Sequence, residues 1–268
     1  MTEQPDPYAL ATDAASALTK RLGVPAVDAA IVLGSGWATA AADLGETLAE
    51  IPLTDLPGFA APVVAGHGGT VRALRTPADR IVLCFTGRTH LYEGRGAHAV
   101  VHGVRTAAAA GARRLVVTNG CGGLNPAWGP GTPVLIRDHI NLTGATPLVG
   151  PRFVDLTQAY SPQLRDLARS VDPGLDEGVY VQFHGPAYET PAEVRMAGIL
   201  GGSLVGMSTA LETIAAREAG MDVLGISLVT NAAAGLGGET LNHAEVIEAG
   251  ARAVPRLRTL LSGLLEVL

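Results

Sequence analysis

Short apolar runs alternate with helix-like patterns along this chain, and such alternation is typical of a β-sheet covered by helices. The apolar runs predict strands at residues 29–33, 81–85, 115–118, 133–136, 179–183 and 223–229. The helical patterns predict helices over residues 97–110 and 243–265 and from about residues 162, 191 and 210. No internal repeat or low-complexity linker divides the sequence, so one α/β domain is expected.

The polar positions between these elements mark two helix starts and one long loop. Segments 190–193 (TPAE) and 209–212 (TALE) each place a Glu three residues after a Thr, which is the pattern of a capping box. Residues 141–161 are rich in proline and glycine, and their length predicts a functional loop. The residues before about Ser16 are expected to be partly disordered or to form a helix packed on the outside.

Arg88, His90 and Tyr92 occupy every second position shortly after the apolar run that ends at Phe85. Because side chains alternate in an extended segment, the three would share one face. A guanidinium, an imidazole and a phenol on one face could bind an oxyanion such as phosphate. The alternative is an exposed edge segment in which Arg88 pairs with a local carboxylate and Tyr92 packs.

Two glycine-rich segments are candidate ligand loops. Residues 34–36 (GSG) lie between a predicted strand and a predicted short helix, where backbone N–H groups and the Ser35 hydroxyl can bind an anion. Thr39 stands where a dinucleotide-binding fingerprint needs its third glycine, so the segment does not match that fingerprint. Residues 117–123 (VTNGCGG) would let the backbone approach a flat ligand closely. The alternative for each segment is a structural turn.

Four residues near helix starts or strand ends carry candidate recognition groups. Ser208 could add a hydroxyl and a backbone N–H to an anion site, because the adjacent Thr already fills the capping role. Glu189 precedes a helix N-terminus, where the helix dipole favours an ionised carboxylate, and with Asn231 it could read the edge of a polar heterocycle. His243 could be a local cap or a hydroxyl partner. Taken singly, Glu189 and Asn231 could also be turn formers.

The composition argues against several classes of function. The chain has 268 residues, 47% hydrophobic and 16% charged, and its 19 basic and 25 acidic residues give a net charge of −6. No Lys/Arg cluster supports nonspecific nucleic-acid binding, and no run of about 18 apolar residues supports a membrane span. The polar, acidic N-terminus does not resemble an export signal.

Lysine and cysteine usage narrows the chemistry further. Lys20 is the only lysine and lies far from every glycine-rich segment, so Walker-type nucleotide hydrolysis and Schiff-base chemistry lack their essential residue. Cys84 and Cys121 form neither a disulfide framework nor a zinc pattern, which favours a reducing cytoplasm. The histidines show no spacing typical of metal ligands, so no metal is predicted.

Taken together and in their order along the chain, these motifs resemble the trimeric purine nucleoside phosphorylases. The matching segments are GSG at 34–36, GHGG at 66–69, GRTHLYEG at 87–94, VTNGCGGLN at 117–125, GPAYETPAE at 185–193, VGMST at 205–209, TN at 230–231 and NHAEV at 242–246. The resemblance spans residues from about 30 to 250. It implies one α/β domain over residues 1–268, with three α/β/α layers around a central twisted mixed sheet of the phosphorylase/hydrolase type.

The resemblance also implies how the candidate residues divide their roles. Phosphate would be bound by Ser35, His67, Arg88, His90, the backbone of Gly120 and Ser208. The purine would be bound by Tyr188, Glu189, Met207 and Asn231, with Tyr92 and His243 on the ribose side and Asn231, Glu189 and His90 acting in catalysis. Glu93 would orient His90. Phe153 would reach the site of a neighbouring subunit, which implies a homotrimer. Gly120, Tyr188 and Ala232 depart from residues common in the family.

The activity implied by the resemblance is reversible phosphorolysis of 6-oxopurine ribonucleosides and deoxyribonucleosides, such as inosine and guanosine, in purine salvage. Inorganic phosphate would be a co-substrate, and no cofactor is implied. Asn231 would bond the purine at O6 and N7, and Glu189 would accept the N1 proton that adenosine lacks. The alternative within the family is S-methyl-5′-thioadenosine phosphorylase. Alternatives from other classes are a dinucleotide-dependent oxidoreductase and a nucleoside-binding regulator without catalysis.

Overall fold

The computed structural model describes residues 6–42, 44–61, 69–237 and 243–267, with side chains from residue 248 onward in the last range. Its helices are α1 (Pro7–Leu22), α2 (Gly96–Val100), α3 (His102–Ala109), α4 (Pro162–Val171), α5 (Pro191–Ile199), α6 (Ala210–Glu218) and α7 (His243–Val267). Its strands are β1 (Ala29–Val32), β2 (Glu46–Pro52), β3 (Thr70–Arg75), β4 (Ile81–Phe85), β5 (Arg114–Gly123), β6 (Pro133–Asn141), β7 (Asp176–Gln182), β8 (Leu204–Gly206) and β9 (Asp222–Ala232).

The described strands form one mixed sheet with helices on both faces. The strand order is β2-β3-β4-β1-β5-β8-β7-β6-β9, and β9 also pairs with β5, so the last five strands of this order close into a ring. Alternate residues of β1 face opposite sides: Ala30 and Val32 join the core formed with α1, α3 and α6, whereas Ala29 and Ile31 join the core formed with α4 and α7. The predicted α/β/α layering around a mixed sheet is therefore confirmed.

Three strands are missing from the prediction based on sequence, because their apolar signal is weak. β2 lies at the edge of the sheet, and most of its residues are exposed or half-buried. β3 alternates between buried and partly exposed residues over a short span, and β8 has three residues. Of the three, β8 bears on function, because Val205 and Gly206 form part of the wall of the candidate site.

Three predicted elements differ from the structure. The helix expected over residues 97–110 is divided into α2 and α3 at Val101, which has φ −96° and ψ 3°. The short helix expected after Gly36 is a run of turns over residues 35–42. β5 continues to Gly123, so the glycine-rich segment that follows Thr118 is a strand and neither a loop nor a turn.

The N-terminal residues from Pro7 onward form a helix, which was one of the two expectations for this region. Asp6 caps α1 by accepting the backbone N–H of Tyr8 at 3.1 Å, and Gly23 ends it with φ 65°. The predicted helix starts at Pro162, Pro191 and Ala210 agree with α4, α5 and α6. Within the described ranges, no helix combines the length and the apolar character that a membrane crossing needs.

Candidate active site

A cavity of about 240 Å³ opens beside the middle of β5. β1 and β8 pair with the same edge of β5: β1 as far as Val117, and β8 from Gly122 onward. On this edge, residues 118–121 of β5 pair with neither strand. The segments that follow β1, β4 and β8 each place side chains in the cavity beside these residues. The lining residues are Ser35, Arg88, His90, Tyr92, Asn119, Gly120, Cys121, Gly122, Pro186, Tyr188, Glu189, Val205, Gly206, Met207, Ser208, Thr230, Asn231 and Ala233.

The turn after β1 packs so closely on β5 that position 34 requires glycine. A Cβ atom on Gly34 would lie 2.5 Å from the carbonyl oxygen of Thr118 and 2.9 Å from Nη1 of Arg88. The backbone N–H of Gly34 donates to Oγ1 of Thr118 at 3.0 Å. This contact fixes the backbone directly before Ser35, which lines the cavity from a turn and not from the start of a helix.

Arg88 is buried and contacts three other residues of the site. Its Nε donates to Oε1 of Glu212 at 3.1 Å, and its Nη1 donates to the carbonyl oxygen of Thr118 at 2.6 Å. Nη1 also lies 3.4 Å from Oγ of Ser208. The side chains of Arg88 and Glu212 are each 2% exposed. The alternative considered from sequence, in which Arg88 lies on an exposed edge segment, is therefore wrong. Such a hydrogen-bonded pair fixes the plane of a permanently charged guanidinium.

Glu212 also holds the start of α6, where the backbone is strained. Its Oε2 accepts the backbone N–H of Thr209 at 2.9 Å, so one carboxylate ties that residue to Arg88. Thr209 has φ 83° and ψ −50°, a conformation that β-branched residues rarely adopt and that is typical of functional sites. The backbone N–H of Ser208 donates to the hydroxyl of Tyr180 at 3.3 Å, so this N–H has a partner within the protein, whereas the Ser208 hydroxyl lines the cavity.

His90 and Tyr92 reach the cavity by a geometry that differs from the predicted one. Leu91–Glu93 forms a 3₁₀ turn instead of an extended segment, and the His90 and Tyr92 rings stack with centroids 4.7 Å apart and planes 13° apart. Oε1 of Glu93 accepts the backbone N–H of His90 at 2.7 Å and lies 3.6 Å from its Nδ1. Burial, with the adjacent Glu93 carboxylate, raises the pKa of Tyr92 to about 12, so its hydroxyl stays protonated.

Glu189 presents a buried acceptor to the same cavity. The residue is 8% exposed, and its Oε1 has no hydrogen-bond partner among the described residues. Burial raises the pKa of Glu189 and opposes the ionised form that the helix dipole was expected to favour. An unsatisfied buried acceptor costs about 1–3 kcal/mol, and a ligand N–H that reaches it would recover this free energy.

Asn231 lies at the cavity with its amide oriented by backbone. Its Nδ2 donates to the carbonyl oxygen of Ala232 at 2.8 Å, and its Oδ1 lies 2.7 Å from Oγ1 of Thr230. Since a carbonyl can only accept, the first contact identifies the nitrogen end of the amide. Nδ2 carries two hydrogens, so one remains for a ligand when the other bonds Ala232.

Most of the site residues predicted from sequence are brought together in this one cavity, although their individual roles stay predictions. They are Ser35, Arg88, His90, Tyr92, Gly120, Tyr188, Glu189, Met207, Ser208 and Asn231. His67 and the side chain of His243 lie outside the described residues. Phe153 does not line the cavity of its own chain, and its side chain is 96% exposed.

Sequence reasoning did not assign Glu212 and Asn119 to the site. Glu212 was recognised as a capping residue, but its contact with Arg88 spans 124 residues and leaves no local pattern. Nδ2 of Asn119 donates to Oγ1 of Thr209 at 2.9 Å, and its place in the glycine-rich segment was the available signal. Burial raises the pKa of Cys121 to about 12, so this thiol stays protonated and is a poor nucleophile.

Comparison with known proteins gives consistent results over nearly the whole chain. The model of a family described as the Phosphorylase superfamily matches residues 28–266. A purine nucleoside phosphorylase from Cellulomonas sp is 62% identical over 261 residues, covering 96% of this chain and 93% of the relative. One from Mycobacterium tuberculosis is 55% identical over 259 residues, covering 97% and 96%. A crystal structure of isoform 2 of purine nucleoside phosphorylase from Schistosoma mansoni, in complex with cytosine and ribose-1-phosphate, superposes with a TM-score of 0.89 at 32% identity over 97% of each chain.

Proposed function

The chain belongs to the purine nucleoside phosphorylases of the phosphorylase superfamily, and we propose that it catalyses the reversible phosphorolysis of 6-oxopurine nucleosides to the free base and ribose 1-phosphate. Inosine, guanosine and their deoxy forms are the proposed substrates, and purine salvage is the proposed role. One observation carries the substrate assignment: the fixed guanidinium of Arg88 and the unsatisfied carboxylate oxygen of Glu189 line the same cavity. The first suits a phosphate, and the second suits an N–H of the base.

The phosphate is held by charged and polar groups whose positions are set before it binds. Arg88, His90 and Ser208 provide the main contacts in this proposal, completed by Ser35, His67 and the backbone of Gly120. Support comes from the contacts of Arg88 with Glu212 and Thr118, which fix the guanidinium. Donors fixed in this way stabilise the transition state without a cost of reorganisation. The Schistosoma mansoni relative was solved in complex with ribose-1-phosphate, which is the sugar product of the proposed reaction.

In the reaction itself, a phosphate oxygen supplies the electron pair that forms the new bond to C1′. The bond from C1′ to N9 of the purine breaks, and the ribosyl group passes through an oxocarbenium-like state. The base leaves with the bonding electrons and takes up a proton, which balances the proton that hydrogen phosphate loses on becoming the ester. Because phosphate is the nucleophile, no covalent enzyme intermediate is needed. Arg88 and His90 hold the phosphate beside the developing positive charge, which converts the encounter into an oriented, effectively unimolecular step.

The base is recognised by Glu189 and Asn231. In this proposal the remaining amide hydrogen of Asn231 donates to the purine at N7 or O6 and stabilises the base as it gains negative charge. Glu189 accepts the N1–H of a 6-oxopurine, which satisfies its buried Oε1. Adenosine has a lone pair at N1 in place of the N–H and would leave the carboxylate unsatisfied. A site that pairs a polar group of its substrate rejects analogues that lack it by roughly 10⁴-fold or more.

The rest of the site completes the proposal. Tyr92 and His243 contact the ribose, Tyr188 and Met207 pack on the base, and Phe153 reaches the site from a second copy of the chain in a homotrimer. No metal or cofactor takes part. The absence of a helix directly after residues 34–36 further weakens the oxidoreductase alternative, because dinucleotide sites of that kind use the start of a helix.

A phosphate-dependence assay with purified protein tests the proposal. Hypoxanthine release from inosine is expected when phosphate is present and not in its absence. Release without phosphate would indicate a hydrolase, and no release would favour a binding protein. Faster cleavage of adenosine or methylthioadenosine than of inosine would overturn the 6-oxopurine assignment in favour of the methylthioadenosine phosphorylase alternative.

Asn231→Asp is the variant that tests base recognition within the same assay. An aspartate accepts from the 6-amino group, so the preference is expected to move toward 6-aminopurine nucleosides. The matched control is Asn125→Asp, in a residue outside the cavity, which should leave the preference unchanged. Retention of the 6-oxopurine preference in Asn231→Asp would contradict the role assigned to Asn231.

A further inference from the structure

Outside the active site, two guanidinium groups stack on the ring of Tyr8. Cζ of Arg105 lies 4.3 Å from the ring centroid, and Cζ of Arg152 lies 4.2 Å from it. The Tyr8 hydroxyl donates to Oε1 of Glu218 at 2.6 Å. The same carboxylate lies 3.3 Å from Nη2 of Arg105 and 3.4 Å from Nη1 of Arg152. Tyr8, Arg105, Arg152 and Glu218 are called the Tyr8 cluster below.

The Tyr8 cluster connects three helices to the loop of residues 142–161. Tyr8 belongs to α1, Arg105 to α3 and Glu218 to α6, whereas Arg152 belongs to the loop. Nη2 of Arg105 also donates to the carbonyl oxygen of Pro147 at 2.6 Å. The loop contains no helix or strand, so these contacts at residues 147 and 152 hold a segment that lacks a hydrogen-bonding ladder of its own.

The residue next to Arg152 is Phe153, whose side chain is 96% exposed. The phenyl ring gains no free energy of burial within this chain, so it is free to contact the neighbouring site proposed for it above. Burial and the Glu218 carboxylate raise the pKa of Tyr8, so its hydroxyl remains a donor to that carboxylate. The hydrogen bond from Tyr8 to Glu218 is therefore not lost by ionisation of the phenol near neutral pH.

We propose that the Tyr8 cluster positions Phe153 for the active site of a second copy of this chain. Arg152 is the residue that binds this part of the loop to the cluster. This inference rests on the proposed function, in which Phe153 reaches a neighbouring site. Arg152 is a positioning residue and touches no substrate. A cluster that served to pack α1 on α3 would need Arg105 and Glu218 but would not need Arg152, whose side chain is 52% exposed.

Steady-state kinetics of Arg152→Ala test the proposal with little risk to folding. The KM for inosine is expected to rise by roughly fivefold to tenfold, the scale of losing one stacked cation, while the KM for phosphate is unchanged. Arg152→Lys should recover part of the loss. The matched control is Arg21→Ala, which removes a half-exposed arginine that pairs with Asp55 away from the cluster and should leave both KM values unchanged.

A double variant distinguishes positioning from a general structural effect. If Arg152 acts through Phe153, then adding Arg152→Ala to Phe153→Ala raises the KM for inosine no further. Effects that multiply, or an Arg152→Ala variant with the wild-type KM, would overturn the inference while leaving the proposed function intact. A Phe153→Ala variant with the wild-type KM would instead overturn the placement of Phe153 in the proposed function, and the inference would fall with it.

Fluorine NMR reads the position of Phe153 directly. The chain has four phenylalanines, so fluorophenylalanine labelling gives few resonances, and the one lost in Phe153→Ala identifies residue 153. Hypoxanthine should shift this resonance in the wild-type protein. The shift should be smaller and the line narrower in Arg152→Ala. An identical response in wild type and Arg152→Ala would contradict the inference.

Discussion

The proposed phosphate and purine halves of the cavity differ in whether the protein or the ligand satisfies their key charged group. In the phosphate half (Ser35, Arg88, His90 and Ser208), the protein itself sets the position of the groups: Glu212 and Thr118 bind the guanidinium of Arg88, and Glu93 binds the backbone of His90. In the purine half (Tyr188, Glu189 and Asn231), the buried Oε1 of Glu189 has no partner among the described residues, and Tyr188 is 42% exposed.

The difference shows where the enzyme places its rigidity. In the proposed reaction, charge develops where phosphate meets C1′, and fixed donors and charges are most effective there because they need no rearrangement during the reaction. In the same proposal, the Oε1 of Glu189 gains its hydrogen bond only from the ligand, so bases with an N–H at N1 are preferred to bases without one. Changes in the phosphate half should therefore lower the rate for all substrates, and changes in the purine half should alter the choice among them.

Arg88→Ala should give the largest effect, because it removes the fixed cation of the phosphate half. We expect kcat/KM for phosphate to fall by about 10³-fold, the scale of losing one strong transition-state donor. Hypoxanthine binding, measured by calorimetry, should change by less than about threefold if the halves act separately. A comparable loss of hypoxanthine affinity would show that the two halves do not act separately.

Glu189→Gln should change selectivity more than rate. A glutamine can accept from N1–H or donate to the N1 lone pair, so the ratio of kcat/KM for inosine to that for adenosine should fall by about 10²- to 10³-fold. Glu193→Gln, which alters an exposed capping carboxylate four residues away, is the matched control and should keep the ratio. An unchanged ratio in Glu189→Gln would show that the selectivity lies elsewhere.

Glu212→Gln tests whether the phosphate half depends on a residue that touches no substrate. Loss of the buried charge opposite Arg88 should lower the free energy of unfolding by about 2–3 kcal/mol in urea denaturation. It should also lower kcat/KM for phosphate by about 10²-fold, because the guanidinium is no longer held in place. If the variant is less stable but retains full kcat/KM, Glu212 supports the fold and not the orientation of Arg88.

The pH dependence of kcat/KM for inosine should report the protonation of Glu189, which belongs to the purine half. The proposed role of Glu189 needs the carboxylate, and burial raises its pKa above the ordinary value of about 4.3. As the pH falls through this raised pKa, the carboxyl becomes protonated, and kcat/KM for inosine should decrease by about tenfold per pH unit. Glu189→Gln should lack this acid limb. An identical acid limb in the variant would assign it to another group.

Tyr180→Phe should give the smallest effect. The Tyr180 hydroxyl accepts the backbone N–H of Ser208 at 3.3 Å, so its loss leaves one buried donor unpaired and should cost about 1 kcal/mol of stability. The KM for phosphate should rise by no more than about fivefold, since the Ser208 hydroxyl keeps its place at the cavity. A larger rise would mean that this bond orients Ser208 more strongly than its length indicates.

The sequence predicts those features whose cause is local. Strands β1 and β4 are continuous apolar runs, the start of α5 has its own capping box, and Ser35, Arg88 and Asn231 stand beside predicted strand ends. Tyr92 lines the cavity together with His90 as predicted, but the predicted geometry is wrong. A 3₁₀ turn, and not alternation in an extended segment, brings the two side chains together.

The remaining features depend on contacts between distant parts of the chain. The role of Glu212 follows from a bond across 124 residues, and the strained backbone of Thr209 is stabilised by that same carboxylate. β8 has three residues and becomes a strand because β5 and β7 lie beside it. The ionisation of Glu189 depends on burial, which the helix-start pattern does not report.

The closure of β5 by β9 has a consequence during synthesis on the ribosome. Gly120 of β5 lies opposite Leu228, so the strand that forms the floor of the cavity is translated long before its partner. Until that partner emerges, the nascent chain exposes one edge of an apolar strand, which is a template for unwanted pairing with other chains. This edge of β5 is covered only after β9, which ends at Ala232, has been translated.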